Sequence, residues 1–150
     1  MKAVSSLSAA FAATLTAAAF AALLGLSTAA EAQDAAQTKL AEESAKAWLA
    51  LTDAGKNAES WDQAAAAFKS AVSREKWAEA INGVRPPLGK VKSRTLVAAQ
   101  YTKELPGAPT GEYVVIRFQT DFENKAGATE LVTPMKEKDG SWKVSGYFIQ

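Results

Sequence analysis

The chain has 150 residues, with 17 Lys and Arg against 16 Asp and Glu, a formal charge of +1, and neither histidine nor cysteine. A balanced charge without basic blocks argues against nucleic acid and against electrostatic attachment to a membrane surface. The two missing residue types remove Ser-His-Asp and Cys-His catalysis, the imidazole proton shuttle, and the usual ligands of zinc, copper and iron–sulfur groups. No catalytic residue, metal ligand or cofactor is expected.

The N-terminus reads as an export signal. Lys2 gives a short positive region, Phe11–Leu26 is small, apolar and uncharged, and Ala30-Glu31-Ala32 places small residues where a signal peptidase reads. Cleavage after Ala32 divides the chain into a signal peptide, 1–32, and a single domain, 33–150, in the periplasm or outside the cell. The alternative is a retained membrane anchor, but the run is alanine-rich and shorter than the roughly 20 residues that a span needs. No cysteine follows, which excludes a lipoprotein anchor. An exported domain without disulfides must be held by its core alone.

The mature chain opens with a polar lead-in, Gln33–Thr38. A helix from about Thr38 should place Leu40, Ala47, Trp48 and Leu51 on one face and Lys39, Glu42, Glu43 and Lys46 on the other, with Gly55 as its stop. Ser60 and Gln63 fit a capping box that starts a second helix, whose stripe is Ala64, Ala67, Phe68, Ala71 and Val72. Ser73 caps a third, with Glu75 in the first turn and Trp77, Ala80, Ile81 and Val84 on its apolar face. Pro86 and Pro87 should end it.

Beyond Gly89 the period changes to two. Lys90–Leu105 is a strand whose buried face is ambiguous, and Pro106–Gly111 is a rigid hairpin loop. Gly111–Glu123 is the clearest strand, with Val114, Ile116, Phe118 and Phe122 inward and Tyr113, Arg117, Gln119 and Asp121 outward. Thr129–Lys138 follows the Asn124–Gly127 turn, with Leu131, Thr133 and Met135 inward. Pro134 is awkward there and calls for an edge or a bulge. Asp139-Gly140 turns the chain into Ser141–Gln150, with Trp142, Val144 and Phe148 inward, Lys143, Ser145 and Tyr147 outward, and a bend or a close approach by a helix at Gly146. Three helices and then four strands with short turns predict an α+β fold, with N-terminal helices on one face of a curved four-stranded antiparallel meander.

Several motifs in order carry a family resemblance: Trp61–Phe68, the Ser73…Trp77 spacing, Arg85-Pro86-Pro87-Leu88-Gly89, Ser93-Arg94, Leu105-Pro106-Gly107 with Gly111-Glu112-Tyr113, and Trp142–Tyr147. From about Leu40 to Ile149 the chain resembles the bacterial domain-of-unknown-function family 4019. The resemblance implies a small exported domain with no assigned activity. The closing Asp-Gly, Trp and Gly-Tyr pattern also resembles the last strand of cystatin-like and nuclear-transport-factor-2-like folds, which often hold a pocket.

Two constellations carry chemistry. Arg85, Arg94 and Arg117, with Lys92 near them in sequence, would hold an anion if they converged, since a guanidinium grips a carboxylate or phosphate in bidentate fashion. Otherwise they are separate surface arginines with local partners. Tyr101, Tyr113 and Tyr147 form the second set. Tyr113 and Tyr147 on the open face of the sheet would suit a partner or small ligand, or would simply brace neighbouring strands. Ser73-Arg74-Glu75-Lys76 has the spacing of a serine–lysine nucleophile but reads better as a helix cap. These features favour a non-enzymatic binding domain, for another envelope protein or a small anionic ligand, using the open sheet face. The alternative is a pocket between helices and sheet that binds a small molecule, with weak acid–base chemistry by Asp, Glu or Tyr. Self-association through an edge strand is a third possibility.

Overall fold

The computed structural model describes residues 17–150. The expected positive region at Lys2 and the start of the apolar run lie outside the described residues. Helix α1 runs Ala17–Asp53, so the expected polar lead-in, Gln33–Thr38, is helical. Among the described residues no helix is long and apolar enough to cross a membrane. The chain divides after Gln33, and the unit Asp34–Gln150 carries the features that follow.

In this unit β1 (Val91–Thr102), β2 (Tyr113–Phe122), β3 (Ala128–Lys136) and β4 (Trp142–Ile149) form one antiparallel sheet in the order β1-β2-β3-β4. The sheet is an open meander, and the fold is α+β as the alternation predicts. On β2, Val114, Ile116, Phe118, Thr120 and Phe122 all point into the core. The helices cover that side. Ala41, Ala45, Trp48 and Leu49 of α1 are buried, at the spacing of a helical stripe. Leu40 is instead half exposed, so the true stripe lies about one residue round from the expected one. Gly55 ends the helix at φ 70°, with Lys56 N–H donating to Leu51 O and Gly55 N–H to Thr52 O, the paired bonds of a Schellman cap.

The second expected helix is two. α2 (Asn57–Asp62) and α3 (Ala66–Ala71) are separated by Gln63–Ala65. The break occurs because the backbone is used elsewhere. Ala65 N–H donates to Val144 O on β4, and Ala66 N–H is capped by the Glu137 carboxylate. Ser60 is therefore not a helix cap. It is fully buried within α2, where its carbonyl accepts the Trp48 indole N–H at 2.7 Å and its hydroxyl accepts that of Trp77 at 2.9 Å. Each indole thereby enters the core with its one donor satisfied. Trp48, Trp77, Phe68 and Tyr147 then pack as one aromatic cluster with centroids 5.1–6.4 Å apart.

α4 (Arg74–Leu88) starts where expected, with Ser73 Oγ accepting from Lys76 N–H. A bond from the Glu75 backbone N–H, and then the Ser73 hydroxyl, hold the Glu75 carboxyl below its usual range. The helix keeps Pro86 and Pro87 inside its last turn and ends at Gly89. That glycine is required. Its φ is 77°, and a Cβ there would lie 2.8 Å from the Glu123 carboxylate.

Three bulges and one inverted strand change which side chains face inward. On β4, Val144 pairs with Pro134 but Gly146 with Thr133, which leaves Ser145 as an extra residue. Pro134 has no N–H to give to the ladder, and the Ser145 hydroxyl bonds the Thr133 carbonyl instead. The alternation resets there. Tyr147 turns into the core and Phe148 turns out, 62% exposed, the reverse of the sequence expectation. On β3, Ala128, Glu130 and Val132 face inward, and Leu131 lies on the other side. β1 carries shifts at Lys92 and Val97, which explains its ambiguous pattern and blunts it as an edge strand.

Candidate functional site

The end of α1 sets up the first feature. Asp53 sits in the last helical turn, where the helix dipole disfavours an acid. Arg85, eight residues beyond Trp77 on the buried stripe of α4, reaches it at 2.5 Å, and Arg94 of β1 grips it through two nitrogens at 2.8 and 3.0 Å. The same Arg94 also bonds Glu130 of β3 through Nε at 2.6 Å and Nη2 at 3.2 Å. Glu130 is fully buried. It accepts two further bonds, from the Thr120 hydroxyl and the Tyr147 phenol, each at 2.5 Å. Among the described residues Arg85 Nη1 finds no hydrogen-bond partner. It lies 3.5 Å from Glu130, and the guanidinium stands 4.7 Å over the Phe122 ring.

Two guanidinium groups and two carboxylates close this knot with no net charge. Burial alone would lower the Arg94 pKa, but its bonds to Asp53 and Glu130 outweigh that and raise it. Burial, and then the Glu130 charge, push the Tyr147 phenol far above its usual value. The groups hold one another through these bonds.

The expected arginine cluster is therefore half present. Arg85 and Arg94 converge, but the anion they hold is the protein's own Asp53 and Glu130. Arg117 stays apart on the exposed face of β2, paired with Ala98 and Leu131, beside a hollow of about 220 Å³. The expected open-face tyrosines are absent from that surface. Tyr147 is turned inward by the bulge. Tyr113 keeps the same pleat side as Arg117 but is 1% exposed, because the β1–β2 loop folds onto it and Pro109 O accepts its hydroxyl at 2.6 Å. Tyr101 bonds Glu112, which also meets Lys136. Burial and that carboxylate raise Tyr101 to about 12, and the Tyr101 bond lowers Glu112. Among the described residues no group of acidic side chains is arranged to hold a metal ion.

The second feature is a cleft of about 560 Å³. It lies between α3, the start of α4, the loop Leu105–Pro109 and the middle of β3 and β4. Residues from both faces of β4 line it: Tyr147 from the helix side, Gly146 and Phe148 from the other. Phe68, Trp77, Tyr113 and Met135 complete its walls, and no lining side chain is charged. Sequence reasoning missed Asp53 and Glu130, read Ser60 as a helix cap, and offered a pocket between helices and sheet without naming the residues that line this cleft. A signal for the knot existed. The stripe Trp77, Ile81 ends on Arg85, and Thr120 interrupts the apolar row of β2, so an inward carboxylate was needed nearby.

A sheet half-covered by helices, with an ionic knot centred on the buried Glu130 and an apolar cleft at its edge, defines a small α+β domain. The family model for proteins of unknown function DUF4019 matches residues 44–147, and the chain belongs to that family. Neither a curated protein nor a solved structure matches it.

Proposed function

We propose that the chain is exported, loses residues 1–32, and serves as a non-enzymatic binding domain whose ligand is a small, largely apolar molecule held in the cleft. One observation carries this reading: a cleft of about 560 Å³ whose lining has aromatic, aliphatic and proline side chains and no charge. That volume is within the range of ligand sites, roughly 300–1,000 Å³, and such sites are mainly apolar. The lining also lacks an acid or base. The Tyr113 phenol is spent on Pro109, and the Tyr147 phenol is spent on Glu130. Of the arginines first expected to take an external anion, Arg85 and Arg94 are engaged by Asp53 and Glu130 and Arg117 stands apart from them, and the open sheet face has lost both tyrosines, so the pocket reading is favoured over the surface reading.

The test is titration of the purified mature domain with naphthalene, read by tryptophan fluorescence, since Trp77 lines the cleft. The same titration is run on Gly146→Val. A Cβ at Gly146 meets Thr133 and Phe148 only at ordinary contact, 3.7–3.9 Å, so the fold should survive while the cleft narrows. Saturable binding by the wild type, weakened at least tenfold in the variant, supports the proposal. No binding, or equal binding by both proteins, refutes it. Periplasmic fractionation of a tagged full-length chain, with N-terminal sequencing, tests export.

A further inference from the structure

We infer that the ligand is an uncharged, ring-sized apolar molecule carrying a single carbonyl or hydroxyl oxygen, which Thr133 recognises. This rests on the cleft reading above and narrows it to a chemical class. The hydroxyl and indole groups on the cleft wall fall into two groups. Most are already spent: the Trp77 indole on Ser60, the Tyr113 hydroxyl on Pro109, the Tyr147 hydroxyl on Glu130 and the Ser145 hydroxyl on the Thr133 carbonyl. The Thr133 hydroxyl is different. Thr133 lines the cleft and is 8% exposed, and among the described residues its Oγ1 takes part in no hydrogen bond.

The surroundings fix the rest of the ligand. Thr133 pairs across the ladder with Gly146, which has no side chain to fill the space beside the hydroxyl. The bulge at Ser145 creates that vacancy, because it places glycine rather than a larger residue opposite Thr133. A charged group entering here would find no counter-charge in the lining and would lose its hydration. A pure hydrocarbon would fit but would cover the hydroxyl without bonding it, and an unpaired covered donor is costly. One neutral oxygen resolves both problems. The aromatic walls favour a flat ring system over a flexible chain, since stacked or edge contacts add to the burial of area.

The experiment compares two probes of the same shape, 2-acetylnaphthalene and 2-ethylnaphthalene, on the wild-type mature domain and on Thr133→Val. The substitution keeps the branched shape and removes only the hydroxyl. We expect it to weaken the acetyl probe by roughly 2–10-fold, the usual net worth of one neutral hydrogen bond, and to leave the ethyl probe within about twofold. If both probes weaken equally, or neither changes, Thr133 does not read an oxygen and the inference fails, while the cleft reading stands. If neither probe binds the wild type, the cleft reading itself fails and takes this inference with it. Thermal melting of Thr133→Val, expected close to wild type, separates lost recognition from lost folding.

Discussion

The hydroxyl of Tyr147 ends among four ionised groups, and its ring ends on an apolar wall. The knot on one side is rich in chemistry, with two arginines, two carboxylates and a phenol, and none of it is available. Each group is bonded to another, and six elements converge there: α1, α4 and all four strands contribute Asp53, Arg85, Arg94, Thr120, Glu130 and Tyr147. The cleft on the other side is available and has almost no chemistry. The comparison teaches that a buried charge cluster marks a functional site only when something in it is left over. Here the one leftover atom, Arg85 Nη1, faces Glu130 and a phenyl ring rather than a cavity.

The sharpest way to break this division is to remove the acceptor at its centre. Glu130→Leu leaves Arg94, the Thr120 hydroxyl and the Tyr147 phenol without their shared partner in a dry site. A stability loss of about 3–5 kcal/mol is expected, measured by urea unfolding. Glu130→Gln, which keeps the shape, should lose less. A loss below about 1 kcal/mol for the leucine variant would show that the knot does not hold the elements together.

Alkali probes the same division. Tyr101 and Tyr147 both have pKa values raised above the usual value of about 10. A raised group contributes stability that is fully present below its unfolded value. As pH rises past about 10, the unfolded chain ionises first, and the contribution drains away up to about 12 for Tyr101 and further for Tyr147. The urea midpoint should therefore fall steeply above pH 10. Phenolate absorbance of the folded protein should show Tyr101 and Tyr147 titrating late. Both titrating at 10 would place them in solvent.

A smaller change tests geometry rather than charge. Arg94→Lys keeps the cation but loses the fork that spans Asp53 and Glu130 at once. A loss of about 1–2 kcal/mol is expected, from the hydrogen bonds that an ammonium cannot make. Naphthalene binding at the cleft should remain within twofold. A fall in affinity matching the fall in stability would show that the two sides of Tyr147 are coupled.

How much of this was legible in the sequence follows from the range of the physics involved. The meander, the Ser73 cap, the Gly55 stop and the inward row of β2 are set by neighbours in sequence, and they were readable. Pro134 signalled an edge or a bulge and Gly146 a bend or a close approach by a helix, but neither told which residue would be extra. That single slip decided whether Tyr147 or Phe148 faced the core. Glu130 was unreadable as a buried residue by its own identity, since its burial depends on Arg94, Thr120 and Tyr147 arriving from three other strands. Tyr113 was placed on the correct pleat, and its burial depends on a loop folding back. The cleft has no sequence signature, because it is the gap left between α3, a loop and a glycine.

The smallest expected effect concerns the open face, and it separates that face from both regions. Arg117 is exposed, lies between Ala98 and Leu131 across the ladder, and makes no ion pair among the described residues. Surface substitutions of this kind usually stay within about ±0.5 kcal/mol. Arg117→Ala should therefore leave the urea midpoint and naphthalene affinity unchanged. The same variant bears on the open-face reading of the sequence, in which Arg117 met a partner beside Tyr113 and Tyr147. Both tyrosines are withdrawn, and Arg117 is left beside Val115, Leu131 and the exposed Phe148, without the phenol hydroxyls that this reading relied on. If Arg117→Ala nevertheless abolished capture of a protein from envelope extract while Gly146→Val did not, the working surface would be the pleat and not the cleft, and the assignment of roles on the two sides of Tyr147 would have to be redrawn.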